Sequence, residues 1–302
     1  MHTADWHVGK KLGRIDRRAE FEQVLDELVA IARDQRVDLV VVAGDLLDRA
    51  IAPYDAISLV LDALRRLADA AGHVVAIVGN HDSAVLFELL APLLRDMGIL
   101  LVPRIRRPGA GGVVTVASRD GAEAASVAAF PFLHEAEVVD FMAESEDWFK
   151  GYDRRVQGIC RTLCEGLDPA TVKVLTGHFF VAGAELGGGE RRIQVGPQYA
   201  ATAQAIPPTV HYAALGHVHR PQEIQGAAVR ARYSGSIPRS TSPSAPTARR
   251  WSWSRRPRRP RRGSPPSSSP PAGGCCGSKA PSRSCGPERG PVSSTAPTST
   301  SG

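Results

Sequence analysis

Five short stretches of this chain put imidazole, carboxylate and amide side chains beside glycines or at the close of apolar runs. They are "DWH" at Asp5–His7, "GDLLD" at Gly44–Asp48, "GNHD" at Gly79–Asp82, "GH" at Gly177–His178 and "GHVH" at Gly216–His219. In extended chain residues i and i+2 point to the same side, so Asp5 with His7, and His217 with His219, can reach a common cluster. The donors are imidazole nitrogens and carboxylate or amide oxygens, with no thiolate among them. That mixture suits Mn²⁺, Fe²⁺ or Zn²⁺ and speaks against a structural zinc. Seven candidate donors are about right for two ions sharing a bridging carboxylate, roughly 3.5–4 Å apart. Such a pair clamps a phosphate, neutralises the charge growing on its oxygens and makes hydroxide available near neutral pH. The chemistry pointed to is hydrolysis of a phosphate ester.

The elements around these stretches should place them together. Residues 15–35 carry Phe21, Val24, Leu25, Leu28 and Ile31 at helical spacing. "VDLVVVAGD" reads as a strand buried on both faces, which is typical of a parallel sheet. A second helix over residues 53–71 starts near Pro53, "HVVAIVGNHD" repeats the strand and turn, and "AVLFELLAPLLRDMG" predicts a third helix closed by Gly98. Strand and helix alternating in this order predict right-handed parallel βαβ units, whose ligands gather beyond the carboxyl ends of the strands. "GVVTVAS", "ASVAAFPF", "TVKVLTGH", "VHYAALGHVH" and "VRARYSGS" read as strands of a second sheet, with residues 134–168 mainly helical and polar between them.

Taken singly, each stretch has an ordinary explanation. A Gly-Asp at a strand end is usually a turn or a helix cap. His73, His134 and His211 lack ligand spacing, His2 is out of phase with His7, and Cys160 and Cys164, four apart, are expected to pack in a core. It is the five in order that carry the signal. D-x-H, G-D-x-x-D, G-N-H-D, G-H and G-H-x-H in this sequence resemble the calcineurin-like metallophosphoesterase superfamily. The fuller stretches "HTADWHVGK", "VAGDLLD" and "LGHVHRPQ" are closer still to its SbcD-type DNA nucleases.

The resemblance covers about residues 1–236 and implies an α/β/β/α sandwich of two mixed sheets. Position by position, it implies that Asp5, His7, Asp45 and His219 hold one ion, and that Asp45, Asn80, His178 and His217 hold the other, with Asp45 bridging. His81 would stand beside the phosphate and assist departure of the sugar oxygen, while Asp48 and Asp82 would orient imidazoles from behind. The implied activity is that of an exonuclease and endonuclease in DNA end processing and repair. Its cofactor would be two divalent ions, most readily Mn²⁺, and its partners DNA, a coiled-coil ATPase and a second copy of the chain. Two other readings fit the same motifs: a phosphodiesterase or phosphatase for small nucleotides or phosphoproteins, and a non-catalytic scaffold whose basic tail binds nucleic acid. In the family a short strand precedes the first histidine. With Met1 in its place, Asp5 and His7 are expected to lack their anchoring strand.

Composition divides the chain. It has 302 residues and a formal charge of +6, from 37 Lys/Arg and 31 Asp/Glu. Residues 239–302 hold 12 of those basic residues and one acidic residue, Glu288, leaving 25 basic and 30 acidic residues in residues 1–238, a net charge of −5. The basic character therefore belongs to the tail, and a general nucleic-acid patch cannot be inferred for the body. Those last 64 residues also contain 12 of the 23 prolines and one residue among Leu, Ile, Val and Phe, Val292. Residues 237–302 are expected to be a disordered segment, unable to bury enough surface to offset its ordering.

"RRPRRPRR" with Trp251 and Trp253 could grip phosphates and stack bases. Alternatively the tail is a frameshift product replacing a capping domain. In the frame beginning at the third base, one GC-rich codon choice across residues 239–254 reads "IDFAERADRKAVVVV", a turn and then a strand. A tail without that apolar pattern predicts weak binding to the ATPase. With no apolar run of about 18 residues, no secretory signal at the N-terminus and five cysteines without framework spacing, the expected setting is a reducing cytoplasm.

Overall fold

The computed structural model describes residues 1–133, 151–188, 190 and 199–237. Two sheets lie face to face. The first contains β1 (His2–Thr3), β2 (Leu39–Ala43), β3 (His73–Ile77) and β4 (Ile99–Val102) in that spatial order, and every pairing is parallel. Its crossovers are α1 (Arg18–Asp34), α2 (Tyr54–Ala71) and α3 (Ala84–Arg95). The second sheet is mixed. Its order is β11 (Gln222–Glu223), β12 (Ala231–Tyr233), β10 (Tyr212–Gly216), β7 (Val172–His178), β6 (Ala124–Phe130) and β5 (Val113–Ala117). Within it β12, β10, β7 and β6 run parallel, with antiparallel partners at the two edges. The helix α4 (Tyr152–Glu165) lies outside this sheet, and β8 (Phe180–Val181) pairs with β9 (Ala200–Ala201) apart from it.

Two-residue periodicity decides which side each residue faces. Val40 and Val42 of β2 and Val74 and Ala76 of β3 pack with Phe21, Leu25 and Leu28 of α1 and with Val60, Leu64 and Leu67 of α2. Their neighbours Val41 and Val75 turn inward to meet Val127, Val174, Tyr212 and Ala214 of the second sheet. On that sheet Ala128, Phe130, Leu175, Ala213 and Leu215 face outward onto Val156, Ile159, Cys160 and Leu163 of α4. The layers are therefore helix, sheet, sheet, helix. Both cysteines of α4 are buried in this outer cluster, where they act as small apolar side chains.

Two local expectations differ from the structure. Helix α1 begins at Arg18 rather than near Ile15, because Leu12 and Ile15 pair with each other in a tight hairpin instead. The first strand is present: His2 and Thr3 pair with Val41 and Val42, and the pairing continues beyond the strand through Asp5 N–H to Gly44 O and His7 N–H to Asp45 O, both 3.0 Å. Main-chain hydrogen bonds to the next segment thus anchor Asp5 and His7, and a two-residue strand suffices. Among the described residues no helix is long and apolar enough to cross a membrane. His134, residues 135–150 and the tail from residue 238, with Trp251, Trp253 and Cys275, Cys276 and Cys285, lie outside the described residues.

Candidate metal centre

All five motifs sit at carboxyl ends of parallel strands, and the two sheets bring those ends together. Asp5 and His7 follow β1, Gly44 and Asp45 follow β2, and Asn80 and His81 follow β3, while His178 closes β7 and His217 follows β10. Small residues allow the approach. A Cβ on Gly216 would lie 2.0 Å from the Ala43 carbonyl of the opposite sheet, and one on Gly44, whose φ is +88°, would lie 2.4 Å from His178 Nδ1. Asp5, His7, Asp45 and His217 also adopt positive φ, an uncommon backbone for side-chain-bearing residues that clusters at functional sites.

The donors fall into two groups that share Asp45. One atom each from Asp5, His7, Asp45 and His219 lie within 4.8 Å of one another, with His7 Nε2 2.9 Å from His219 Nε2 and 3.7 Å from Asp45 Oδ2. In the other group Asn80 Oδ1 lies 3.0 Å from His178 Nε2 and 2.9 Å from His217 Nδ1, and His178 Nε2 is 3.4 Å from the same Asp45 Oδ2. The other oxygen of Asp45 is engaged, accepting the His81 N–H at 2.8 Å. A single carboxylate oxygen therefore faces one imidazole of each group.

Hydrogen bonds behind the imidazoles fix which nitrogen faces inward. His178 Nδ1–H donates to the Ala43 carbonyl at 2.7 Å, and His219 Nδ1–H donates to the Gly188 carbonyl at 3.1 Å. Both Nε2 atoms thus turn a lone pair toward other acceptors. His178 Nε2 and Asn80 Oδ1, 3.0 Å apart, need a proton or a metal ion between them. Where the His7 and His219 rings meet, the lone pair of His219 Nε2 can take either a proton on His7 Nε2 or a cation. An acceptor-rich, buried cluster of nitrogen and oxygen atoms is the donor chemistry of a divalent cation site, and these residues fit one. His7 Nδ1 is buried and has no hydrogen-bond partner among the described residues.

Electrostatics point the same way. Burial alone would push Asp45 up, yet the imidazoles of His178 and His7 outweigh it and hold the carboxyl well below the usual range. Burial depresses His178, but the carboxylate of Asp45 outweighs it and lifts the imidazole to about 9. Burial raises Asp5 to about 6. The centre favours positive charge between its histidines and Asp45.

The remaining expected residues take clear positions. His81 stacks edge-on against His7, ring centres 4.6 Å apart, and its Nδ1–H donates to the main-chain carbonyl of Asp48 at 2.7 Å. It is thus Asp48's main chain that orients this imidazole, while its carboxylate lies within reach of His7 and His81. Asp82 was expected behind an imidazole. Instead its carboxylate accepts the main-chain N–H groups of Leu46, Leu47 and Gly79 at 3.2, 2.8 and 3.0 Å. It ties the β2 loop to the β3 loop, because three amides satisfy it before any ring can. Burial, then the charge of Asp45, raises its pKa to about 7. His2 hydrogen-bonds the hydroxyl of Tyr212 at 3.1 Å, and His211 Nδ1 accepts the Lys173 N–H at 2.9 Å; both lie away from the cluster.

Several supporting residues carry no local sequence signal. Phe132 stacks on His217 at 5.9 Å, Ser236 Oγ–H donates to the Asp5 carbonyl at 2.8 Å, and a Glu190 oxygen accepts the His219 N–H at 3.0 Å. Each acts across a long stretch of chain.

Comparison with known proteins agrees with this geometry. Residues 1–221 match the calcineurin-like phosphoesterase family. The chain is 34% identical over 247 residues to the SbcD chain of the SbcCD nuclease of Bacillus subtilis, an alignment covering 78% of this chain and 60% of that protein. It is 32% identical over 252 residues to the protein of the same name from Rhodobacter capsulatus, covering 78% and 61%. The Escherichia coli K12 protein is 32% identical over 247 residues, covering 78% and 59%. The chain thus spans about three fifths of the length of these relatives.

Proposed function

This chain belongs to the calcineurin-like phosphoesterase family, and on that premise we propose that it is an SbcD-type nuclease subunit that cuts DNA phosphodiesters with two divalent ions, Mn²⁺ foremost. The observation that carries the reading is Asp45 Oδ2, set 3.7 Å from His7 Nε2 and 3.4 Å from His178 Nε2. One oxygen between two histidine-bearing groups is the arrangement a bridged pair of ions needs. Asp5, His7, Asp45 and His219 would hold one ion, and Asp45, Asn80, His178 and His217 the other. Such ions supply Lewis acidity to the phosphoryl oxygens and a nucleophile available near neutral pH.

The protein's own share is positional. The carbonyls of Ala43 and Gly188 hold Nδ1–H of His178 and His219 and leave Nε2 of each turned inward. Asp82 locks the two loops that present Asp45 and Asn80. With Nδ1–H of His81 committed to Asp48, its Nε2 is the ring atom left to hold a proton and pass it to the departing sugar oxygen.

DNA, a coiled-coil ATPase and a second copy of the chain are the partners this reading carries, in the cytoplasm. The composition of residues 237–302, poor in apolar residues, supports weak co-purification with the ATPase. The test offers single- and double-stranded DNA, a cyclic nucleotide and a phosphoserine peptide with Mn²⁺. DNA cleavage that His81→Ala lowers by about 10²–10⁴-fold is the expected result. Hydrolysis confined to the small substrates would move the reading to a small-nucleotide or phosphoprotein hydrolase. DNA binding lost on deleting residues 239–302, with no activity sensitive to His81→Ala, would leave a scaffold.

A further inference from the structure

The segment that follows His7 departs from the charge of the body around it. Residues 1–238 carry a net charge of −5, yet residues 9–18 contain Lys10, Lys11, Arg14, Arg17 and Arg18 against Asp16 alone. Two of the five are neutralised locally. Arg17 bonds Glu20 at 2.8 Å, and Arg18 bonds Glu22 at 2.8 Å and lies 3.6 Å from Asp55. Lys10, Lys11 and Arg14 make no ion pair among the described residues.

Those three cations ride on a defined turn. Lys10 N–H donates to the His7 carbonyl at 3.0 Å, which folds the chain back directly from the metal centre. Leu12 and Ile15 then exchange main-chain hydrogen bonds of 3.1 and 3.0 Å, leaving Gly13 and Arg14 at the tip. Gly13 has φ +61°, which only glycine adopts without cost. Lys11 and Arg14 are exposed, and so are the paired apolar side chains Leu12, at 37%, and Ile15, at 60%. A basic hairpin whose Lys10, Lys11 and Arg14 make no ion pair among the described residues begins three residues from a candidate ligand.

We infer that this hairpin, Lys10–Ile15, is a binding surface for the phosphate backbone of duplex DNA next to the cleaved bond. The inference rests on the nuclease reading above and deepens it. A polymer held at the metal centre must continue over the neighbouring surface, and its flanking phosphates need cations there; a small nucleotide would not reach them. Lys10, Lys11 and Arg14 meet successive phosphates, and Leu12 and Ile15 lie against the sugars between them.

Fluorescence anisotropy of a labelled duplex oligonucleotide, titrated with the full chain in EDTA over a range of salt, tests the assignment. Three phosphate contacts account for about 2.7 of the slope of log K against log salt, at about 0.9 for each. The K10Q/K11Q/R14Q variant is expected to flatten the slope by that amount and to weaken binding at low salt by at least about tenfold. The charge-conserving K10R/K11R/R14K variant should restore both. An unchanged slope in the glutamine variant would overturn the inference and place the DNA elsewhere, the basic tail included. Cleavage of the same duplex by the parent chain with Mn²⁺ is read separately. A hairpin-dependent slope without cleavage leaves the surface standing and sinks the nuclease reading, whereas cleavage with no slope change does the reverse.

Discussion

His7 and His219, 212 residues apart in the chain, bring their Nε2 atoms to 2.9 Å. His219 donates its Nδ1–H to Gly188, so its Nε2 offers a lone pair that either a proton on His7 Nε2 or a cation can take. Calorimetric titration with Mn²⁺ is therefore expected to show two ions per chain. His219→Ala should weaken one of them by at least about tenfold, in the range seen when a ligand or its support is removed, and leave the Asn80–His178–His217 group its ion. A variant that still binds both ions undiminished would remove His219 from the centre.

The glycine at the end of β2 makes a separate prediction. Gly44 has φ +88°, and a Cβ there would sit 2.4 Å from His178 Nδ1, the atom that donates to Ala43. Gly44→Ala combines a left-handed backbone, costing about 1–2 kcal/mol, with a collision costing about 1–3 kcal/mol. Urea unfolding should show a loss of about 3 kcal/mol, and the Mn²⁺ titration a weakened second ion. Wild-type stability in this variant would mean that the sheets can separate at the site without penalty.

Much of this centre was legible in the sequence because the donors sit at strand ends, and period-two strands followed by glycine announce themselves. The layering followed too: alternating residues of "LVVVA" and "HVVAI" divide between helices and second sheet as the pattern requires. What the sequence did not show was settled by long-range main-chain bonds. Spacing placed Asp82 one residue from His81, but nothing local says that amides of Leu46 and Leu47, 36 and 35 residues away, occupy its carboxylate. Phe132, Ser236 and Glu190 were missed for the same reason. The helical reading reached back to Ile15 because nothing in the spacing marks the boundary, whereas Gly13 permits a turn that pairs Ile15 with Leu12.

Asp82 can be tested through those bonds. Its removal leaves three buried N–H groups without their acceptor, at about 1–3 kcal/mol for a single such loss. Asp82→Ala is expected to destabilise the fold by about 3 kcal/mol and to lower phosphodiester cleavage, as the Asp45 and Asn80 loops come apart. Asp82→Asn, whose amide oxygen still accepts, should recover part of both. Equal activity in the alanine variant and the parent would show that the two loops hold each other by other means.

For the proposed second copy of the chain, α3 offers a candidate surface. Val85, Leu89 and Leu93 recur at four-residue intervals on α3 and are 58, 70 and 69% exposed, with Met97 and Tyr54 nearby in sequence order or on α2, at 53 and 92%. An apolar helical stripe left open to water is a recognised interaction surface. Sedimentation analysis should find dimers that Leu89→Glu with Leu93→Glu converts to monomers. A monomeric parent chain at micromolar concentration would remove the second copy from the list of partners.

The last prediction follows from His2, a buried histidine outside the cluster. Burial, then the charge of the N-terminal ammonium, depresses it from 6.5 to about 3, although it bonds Tyr212 at 3.1 Å. The folded state thus prefers neutral imidazole. Its contribution is complete above pH 6.5, where the unfolded chain is also neutral, and is lost as pH falls from there toward about 3. At about 1.4 kcal/mol for each tenfold change in proton affinity, the full loss is on the order of 5 kcal/mol. His2→Phe keeps an aromatic ring against Tyr212 but cannot be protonated. Unfolding free energies of the two chains, measured from pH 7 to pH 4, should therefore converge on acidification or cross in favour of phenylalanine. A constant difference across that range would mean that His2 binds its proton equally in the folded and unfolded chain, and that burial does not govern it.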